Sequence, residues 1–228
     1  MVRRRPPERF DQIVEAGLTV FSRLGFRRTQ MSDVAKEAGV APGTLYTYVE
    51  SKEALFALVL ERANDPSVPP PTELPVQAVG NDELLSAMRE RFVWAERLPL
   101  LHAALERKRV VDARAELEGI IGELWDLLAR TRRLADVLER SARDWPDLGL
   151  VFYEGIRDAL FGNLARYIKQ RADRGHLAPT EHPEISARFV VETLTWFARH
   201  RHHDPFAAYD DAAARETIVP IVVRGLLP

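Results

Sequence analysis

The sequence predicts an all-α fold in which a small N-terminal three-helix domain with a helix-turn-helix precedes a larger helical domain. Three observations carry this. Apolar residues recur at three-and-four spacing through most of the 228 residues, no convincing strand interrupts them, and one proline-rich stretch divides the chain unequally.

Phe10, Ile13, Val14, Gly17, Val20, Phe21 and Leu24 share one helix face, and Gly25 ends that helix. Thr29 offers a hydroxyl to cap a second helix, whose inner face is Met31, Val34, Ala35 and Ala38 and which stops at Gly39. A third helix begins at Pro42, since a missing amide proton costs nothing at a first helical position. Ser51 caps a fourth, with Glu53 favourable to its N-terminal dipole and Leu55, Leu58 and Val59 as its apolar stripe. Residues 64–81, NDPSVPPPTELPVQAVGN, contain five of the fifteen prolines and read as a long connection or domain boundary. Further helices are expected over 82–97, 99–110, 113–143, 147–173, 183–202 and 211–227, with Trp145-Pro146 as a break. TIVPIVV at 217–223 is β-branched enough for a strand but isolated, so a helix kinked at Pro220 is the preferred reading. The expected domains are therefore 1–50, a connecting helix and linker at 51–81, and 82–228.

Composition removes several classes of function. With no cysteine there is no disulfide, thiol catalysis or cysteine-ligated metal. No apolar run approaches the roughly 20 residues that cross a bilayer, and MVRRRPPERF lacks the apolar core of a secretory signal. The expectation is a soluble, cytoplasmic protein. Net charge is −2, yet residues 1–30 hold seven arginines against three acidic residues. The positive field is local and N-terminal. Arginine position rather than number is informative, because arginine outnumbers lysine throughout the chain, 28 to 4. Arg3 to Arg5 suit either a minor-groove arm or a solvated tail.

Two short helices joined by a tight glycine turn, the second starting three residues after the glycine, have the spacing of a helix-turn-helix. In that motif the first helix braces against the sugar-phosphate backbone and the second lies in the major groove. Here the second helix is APGTLYTYV. Ala41, Pro42 and Gly43 let its backbone approach bases closely, while Thr44, Thr47, Tyr46 and Tyr48 supply hydroxyls and Lys52 a charge.

Residues 10–60 as a whole resemble a known family. Ala16 to Phe21 followed by Gly25-Phe26, then Thr29, Val34-Ala35, Ala38-Gly39-Val40, Gly43-Thr44-Leu45-Tyr46, Tyr48-Val49 and Ser51 to Leu55 look like the DNA-binding domain of TetR-family transcriptional regulators. The resemblance implies an all-helical homodimer. Three N-terminal helices would bind DNA, a fourth would link them to a helical core that takes an effector, and two C-terminal helices would pair with the partner. It puts Thr29, Tyr46, Tyr48 and Lys52 on phosphates, Ser32, Pro42, Gly43, Thr44 and Thr47 near base edges, and Leu45 in the core. Ala41 departs from the capping serine often found there. The activity implied is ligand-responsive regulation, as a repressor released from a palindromic operator by a small, mostly apolar effector, with no catalysis and no cofactor. No Ser-His-Asp set, phosphate loop or acid pair argues for an enzyme.

Within 82–228, Trp94, His102, Trp125, Phe152, Tyr153 and Phe161 are candidates to line an effector cavity. Asn163 shares an apolar face with Phe152 and Tyr167, so its amide bonds either a backbone carbonyl or a ligand. The helix over 183–202 is apolar nearly all round and needs a second layer. By the resemblance that layer is the partner subunit, reached through Phe189, Val190, Thr193, Leu194, Trp196 and Phe197 with Ile218 and Val222. His200, His202, His203 and Asp204 have helical metal-ligand spacing but equally suit a helix C-terminus, and no metal is assigned.

Overall fold

The computed structural model describes residues 7–78, 80–91 and 97–228, and they are helical with a single isolated bridge. They group into two compact units, Met1–Arg91 with Arg133–Tyr153 and Phe92–Arg132 with Glu154–Pro228. The sequence reading, with 82–228 as one domain, does not draw that division.

In the first unit, α1 (Pro7–Leu24) buries Ile13, Val14, Val20 and Phe21 against α2 (Met31–Glu37) and α4 (Lys52–Asn64). Gly25 turns the chain out of α1 at φ 80°, a conformation that L side chains rarely adopt. The cap of α2 differs from the expectation. Gln30 is the N-cap, and its N–H donates to the Asp33 carboxylate at 2.9 Å. Thr29 instead turns its hydroxyl back to the Gly25 carbonyl at 2.7 Å, a local bond that competes with capping. Ser51 caps α4 as expected, accepting from the Ala54 N–H at 3.1 Å.

Between α2 and α4, α3 is a helix only over Pro42–Leu45 and loosens into turns through Tyr48. The proline-rich stretch is tied to its end. Val76 donates its N–H to the Tyr48 carbonyl at 2.8 Å and accepts from the Glu50 N–H at 2.9 Å, forming a parallel bridge beside Val49. Ala78 adds a bond to the Glu50 carboxylate at 3.2 Å. Nearer α4, the Asp65 carboxylate accepts the Ser67 hydroxyl and N–H, which holds its pKa below the usual range. From here the chain enters α5 (Asn81–Arg91), which buries Leu84, Leu85 and Met88.

The first unit is completed from far along the sequence. At the corner between α1 and α2, α8 (Arg132–Ala142) and the turn that leads from it into α9 (Pro146–Gly149) supply several partners. The Phe26 N–H donates to the buried Ser141 hydroxyl at 3.1 Å, Arg140 Nε donates to the Arg23 carbonyl at 2.9 Å, and Arg28 pairs with Asp144 at 2.9 Å. Arg133 pairs with Glu15. Trp145 lies 4.8 Å, ring to ring, from Phe26, which lies 4.8 Å from Phe56, itself 5.0 Å and edge-on to Phe21. Such ring pairs contribute about 0.5–1.5 kcal/mol each beyond the area they bury.

The second unit packs α6 (Pro99–Glu106), α7 (Ala113–Arg130), α10 (Asp158–Ala172), α11 (Pro183–Ala198) and α12 (Asp211–Leu226) around Leu117, Ile121, Trp125, Tyr167, Val190 and Leu194. The single helix expected over 113–143 breaks at Thr131, whose hydroxyl and N–H both donate to the Leu127 carbonyl. The helix expected from 147 begins as α9 and passes through a π-helical segment, Leu150–Arg157, before α10. Pro220 sits inside α12 without ending it, so the β-branched run is helical as preferred.

One buried ionic knot joins α6, α7 and α10. Arg171 is wholly buried; its Nε donates to Glu116 at 2.7 Å and its Nη2 to the Ala104 carbonyl at 2.7 Å. Tyr167 donates its hydroxyl to the same carboxylate at 3.4 Å, and burial pushes the phenol pKa up, so it stays a neutral donor.

Candidate nucleic-acid interface

The surface that the helix-turn-helix presents is set by how α3 is held. Gly39, at φ 64°, makes the turn after α2, and Val40 returns its N–H to the Ala35 carbonyl at 2.9 Å. Ala41 precedes α3 with no side-chain cap, as its lack of a hydroxyl requires, and Pro42 opens the helix. Leu45 is wholly buried and anchors α3. That leaves Ala41, Pro42, Gly43, Tyr46 and Thr47 exposed and Thr44 half-buried, on one continuous face. Thr47 turns its hydroxyl to the Thr44 carbonyl at 2.7 Å. Ser32, at the start of α2, is exposed as well.

Three residues assigned to phosphates have partners or packing within the domain. Thr29 and Tyr48 are 2% and 3% exposed, so both belong to the packing of the domain. Tyr48 follows buried Leu45 by three positions, so the helical course of the backbone puts the two on one inner face, while the Tyr48 carbonyl holds Val76. Lys52 points its ammonium at the Thr29 carbonyl, 3.1 Å, and over the Phe26 ring, 4.6 Å from its centre. It braces the loop that positions α2. Tyr48→Ala is therefore expected to lower stability by about 3 kcal/mol, the cost of emptying a buried aromatic site, whereas exposed Thr47→Ala shifts it by less than about 0.5 kcal/mol. Urea denaturation of the two variants checks the contrast.

The α8–α9 contacts on the α1–α2 corner have no local sequence signal. Ser141 and Trp145 lie more than a hundred residues from Phe26, so only the folded chain brings them together.

The effector candidates fall in different settings. Trp94 lies outside the described residues. His102 is exposed, Trp125 is 2% exposed within the core, and Asn163 donates to the Ala159 carbonyl at 2.7 Å, the backbone alternative. Phe152 and Tyr153 belong to the first unit and Phe161 to the second, where Arg157 and Arg188 stand over its ring at 5.4 and 5.0 Å. A cleft of about 440 Å³ opens instead beside Leu100, Gly119, Gly122 and Glu123, with Arg97 and Arg215 at its edge. Glu123 caps α6 there, donated to by the Leu100 and Leu101 N–H groups, and burial raises its pKa. Its lining mixes charged side chains with Pro99, Leu100 and two glycines, and includes none of the effector candidates.

The pairing candidates divide between two faces. Val190, Leu194, Ile218 and Val222 are buried within the chain's own core, because the inner stripe of α11 and α12 packs on α7 and α10. Phe197 flanks that core half-buried. Phe189 and Trp196 are 63% and 40% exposed and lie with Thr193 on the outer stripe, joined by Ile185 and by Ile221 of α12. Among the described residues no group of three or more His, Cys, Asp or Glu is placed to hold a metal ion, and no helix is long and apolar enough to cross a membrane. His202 contacts Asp211 at 3.1 Å.

A helix-turn-helix with small residues at the mouth of its second helix, on an all-helical chain, defines a class of DNA-binding regulator. Known proteins agree. The family described as bacterial regulatory proteins, tetR family, matches residues 13–59. The HTH-type transcriptional repressor KstR of Mycolicibacterium smegmatis is 36% identical over 190 residues, 82% of this chain and 88% of that protein. KstR of Rhodococcus jostii is 30% identical over 178 residues, 75% and 78% of the two chains. Matches to three Bacillus subtilis regulators run over only 53 to 56 residues, so the chain spans about a quarter of their length (26–28%). The solved structure of the ketosteroid transcriptional regulator KstR2 of Mycobacterium tuberculosis shares the fold over the whole of both chains, with a TM-score of 0.60 at 16% identity. This chain belongs to the tetR family of bacterial regulatory proteins.

Proposed function

We propose that the protein is a homodimeric repressor that binds a roughly palindromic operator through α3 and leaves it when a small, mostly apolar effector binds the second unit. The observation that carries this reading is the exposed face Ala41–Gly43, Tyr46 and Thr47, held on a buried Leu45 anchor within a domain that matches the family. Repression rather than activation is favoured by the two KstR relatives, both named repressors, which align over most of the chain. Pairing is supported by the outer apolar stripe of α11 and α12, since a helix buried on one side and apolar on the other calls for a second layer. Half-buried Leu127, Leu128, Leu160 and Phe161 at the margin of the second core are apolar surface that an effector of this kind would cover. Release follows if the effector binds more tightly to a conformation whose recognition helices are wrongly spaced.

The test is a gel shift with duplex DNA flanking the protein's own gene, at low and at physiological salt. A specific shift that weakens as salt rises is expected. No shift at low salt with a folded dimer in hand would overturn the reading.

A further inference from the structure

Gly43 is unexplained by the fold. Its φ is not in the left-handed region, and a Cβ built on it meets nothing within 4 Å. Glycine within a helix is disfavoured relative to alanine, so nothing inside the molecule requires it. Residues 41–49, APGTLYTYV, carry no charged or amide side chain. The side chains that grip guanine or adenine with two hydrogen bonds are therefore missing from α3. The neighbouring charges are engaged elsewhere, Glu50 with the Ala78 N–H and Lys52 with the Thr29 carbonyl. Thr47 has committed its hydroxyl proton to the Thr44 carbonyl, which leaves its methyl as the other group on an exposed side chain.

We infer that α3 reads thymine by its C5-methyl: the missing side chain of Gly43 lets the helix close on the base pair, and the Thr47 methyl packs against the thymine methyl. This rests on the DNA-binding reading above and goes beyond it by naming the chemical feature recognised. Methyl-to-methyl contact is one form of sequence information open to an element without bidentate donors.

The probe is a duplex enriched from a randomised pool by the full-length protein. Each thymine of a half-site is replaced singly by deoxyuridine, which deletes only the methyl group. At least one replacement is expected to weaken binding about fourfold, the worth of one buried methyl. Thr47→Ser keeps the hydroxyl and removes the methyl, so the same replacement should then have no effect. Gly43→Ala should bind the duplex at least tenfold more weakly while melting no lower than the wild type, which separates lost approach from lost folding. The inference is overturned if no thymine is sensitive, if the sensitivity persists in Thr47→Ser, or if Gly43→Ala binds normally. A pool that yields no enriched duplex overturns the DNA-binding reading itself, and the two failures are thereby distinct.

Discussion

Glu116→Ala is expected to lower the stability of the folded chain by about 3–5 kcal/mol, the range measured when one partner of a buried ion pair is removed. The Glu116 side chain is 6% exposed and that of Arg171 0%. Without the carboxylate, Arg171 keeps its bond to the Ala104 carbonyl and its place over the Tyr167 ring, its Nη1 already being without a hydrogen-bond partner. A buried guanidinium cannot shed its proton to escape the loss. The outer pair from Arg107 to Glu116, with Arg107 55% exposed, adds little by comparison. Glu116→Leu combined with Arg171→Met should recover most of the loss, since an apolar pair avoids burying charge. Urea denaturation followed by far-ultraviolet circular dichroism measures both variants. A loss below about 1 kcal/mol in Glu116→Ala would show that the knot is solvated rather than dry.

The second large effect concerns association. Phe189→Glu is expected to make the protein monomeric at micromolar concentration in sedimentation experiments, with its folding intact. Phe189 is 63% exposed and central to a stripe running from Ile185 to Trp196. In a two-fold interface each substitution appears twice, so two carboxylates would be brought into one apolar contact. Operator binding should weaken by about 100-fold or more, because a monomer forfeits the effective concentration that a dimer gives its second half-site. A variant that stays dimeric would move the interface elsewhere. Val190→Glu is the contrasting control: Val190 is wholly buried inside the chain, and its substitution should unfold the unit instead.

Much of the first domain was legible because its signals are local. The Gly25 and Gly39 stops, Pro42 at a first helical position and the Ser51 cap each depend on a handful of neighbouring residues, and each occupies the role expected. Inner and outer faces were harder. Tyr48 carries a hydroxyl suited to phosphate, yet it follows Leu45 by three positions and so shares that residue's buried face. The two faces of α11 are both apolar, so periodicity identifies a doubly covered helix without saying that Val190 faces home and Phe189 outward. Lys52 is ambiguous for another reason. A lysine near a phosphate-binding element has the same sequence signature whether it reaches outward or, as here, closes a loop. Aromatic residues signal burial without signalling which element they will be buried against, so only the fold puts Trp125 inside the second core and Phe161 at its margin.

Ser141 and Trp145 give the first unit a history as well as a shape. Every residue of the helix-turn-helix has left the ribosome long before the side chains that close its α1–α2 corner exist, since Phe26 takes its hydroxyl partner 115 positions downstream. The nascent reading head therefore lacks the Trp145 ring beside Phe26 and Phe56 until that residue is synthesised. A gene fragment cut between the Tyr48 and Trp145 codons encodes the exposed face of α3 and only part of what keeps it in place.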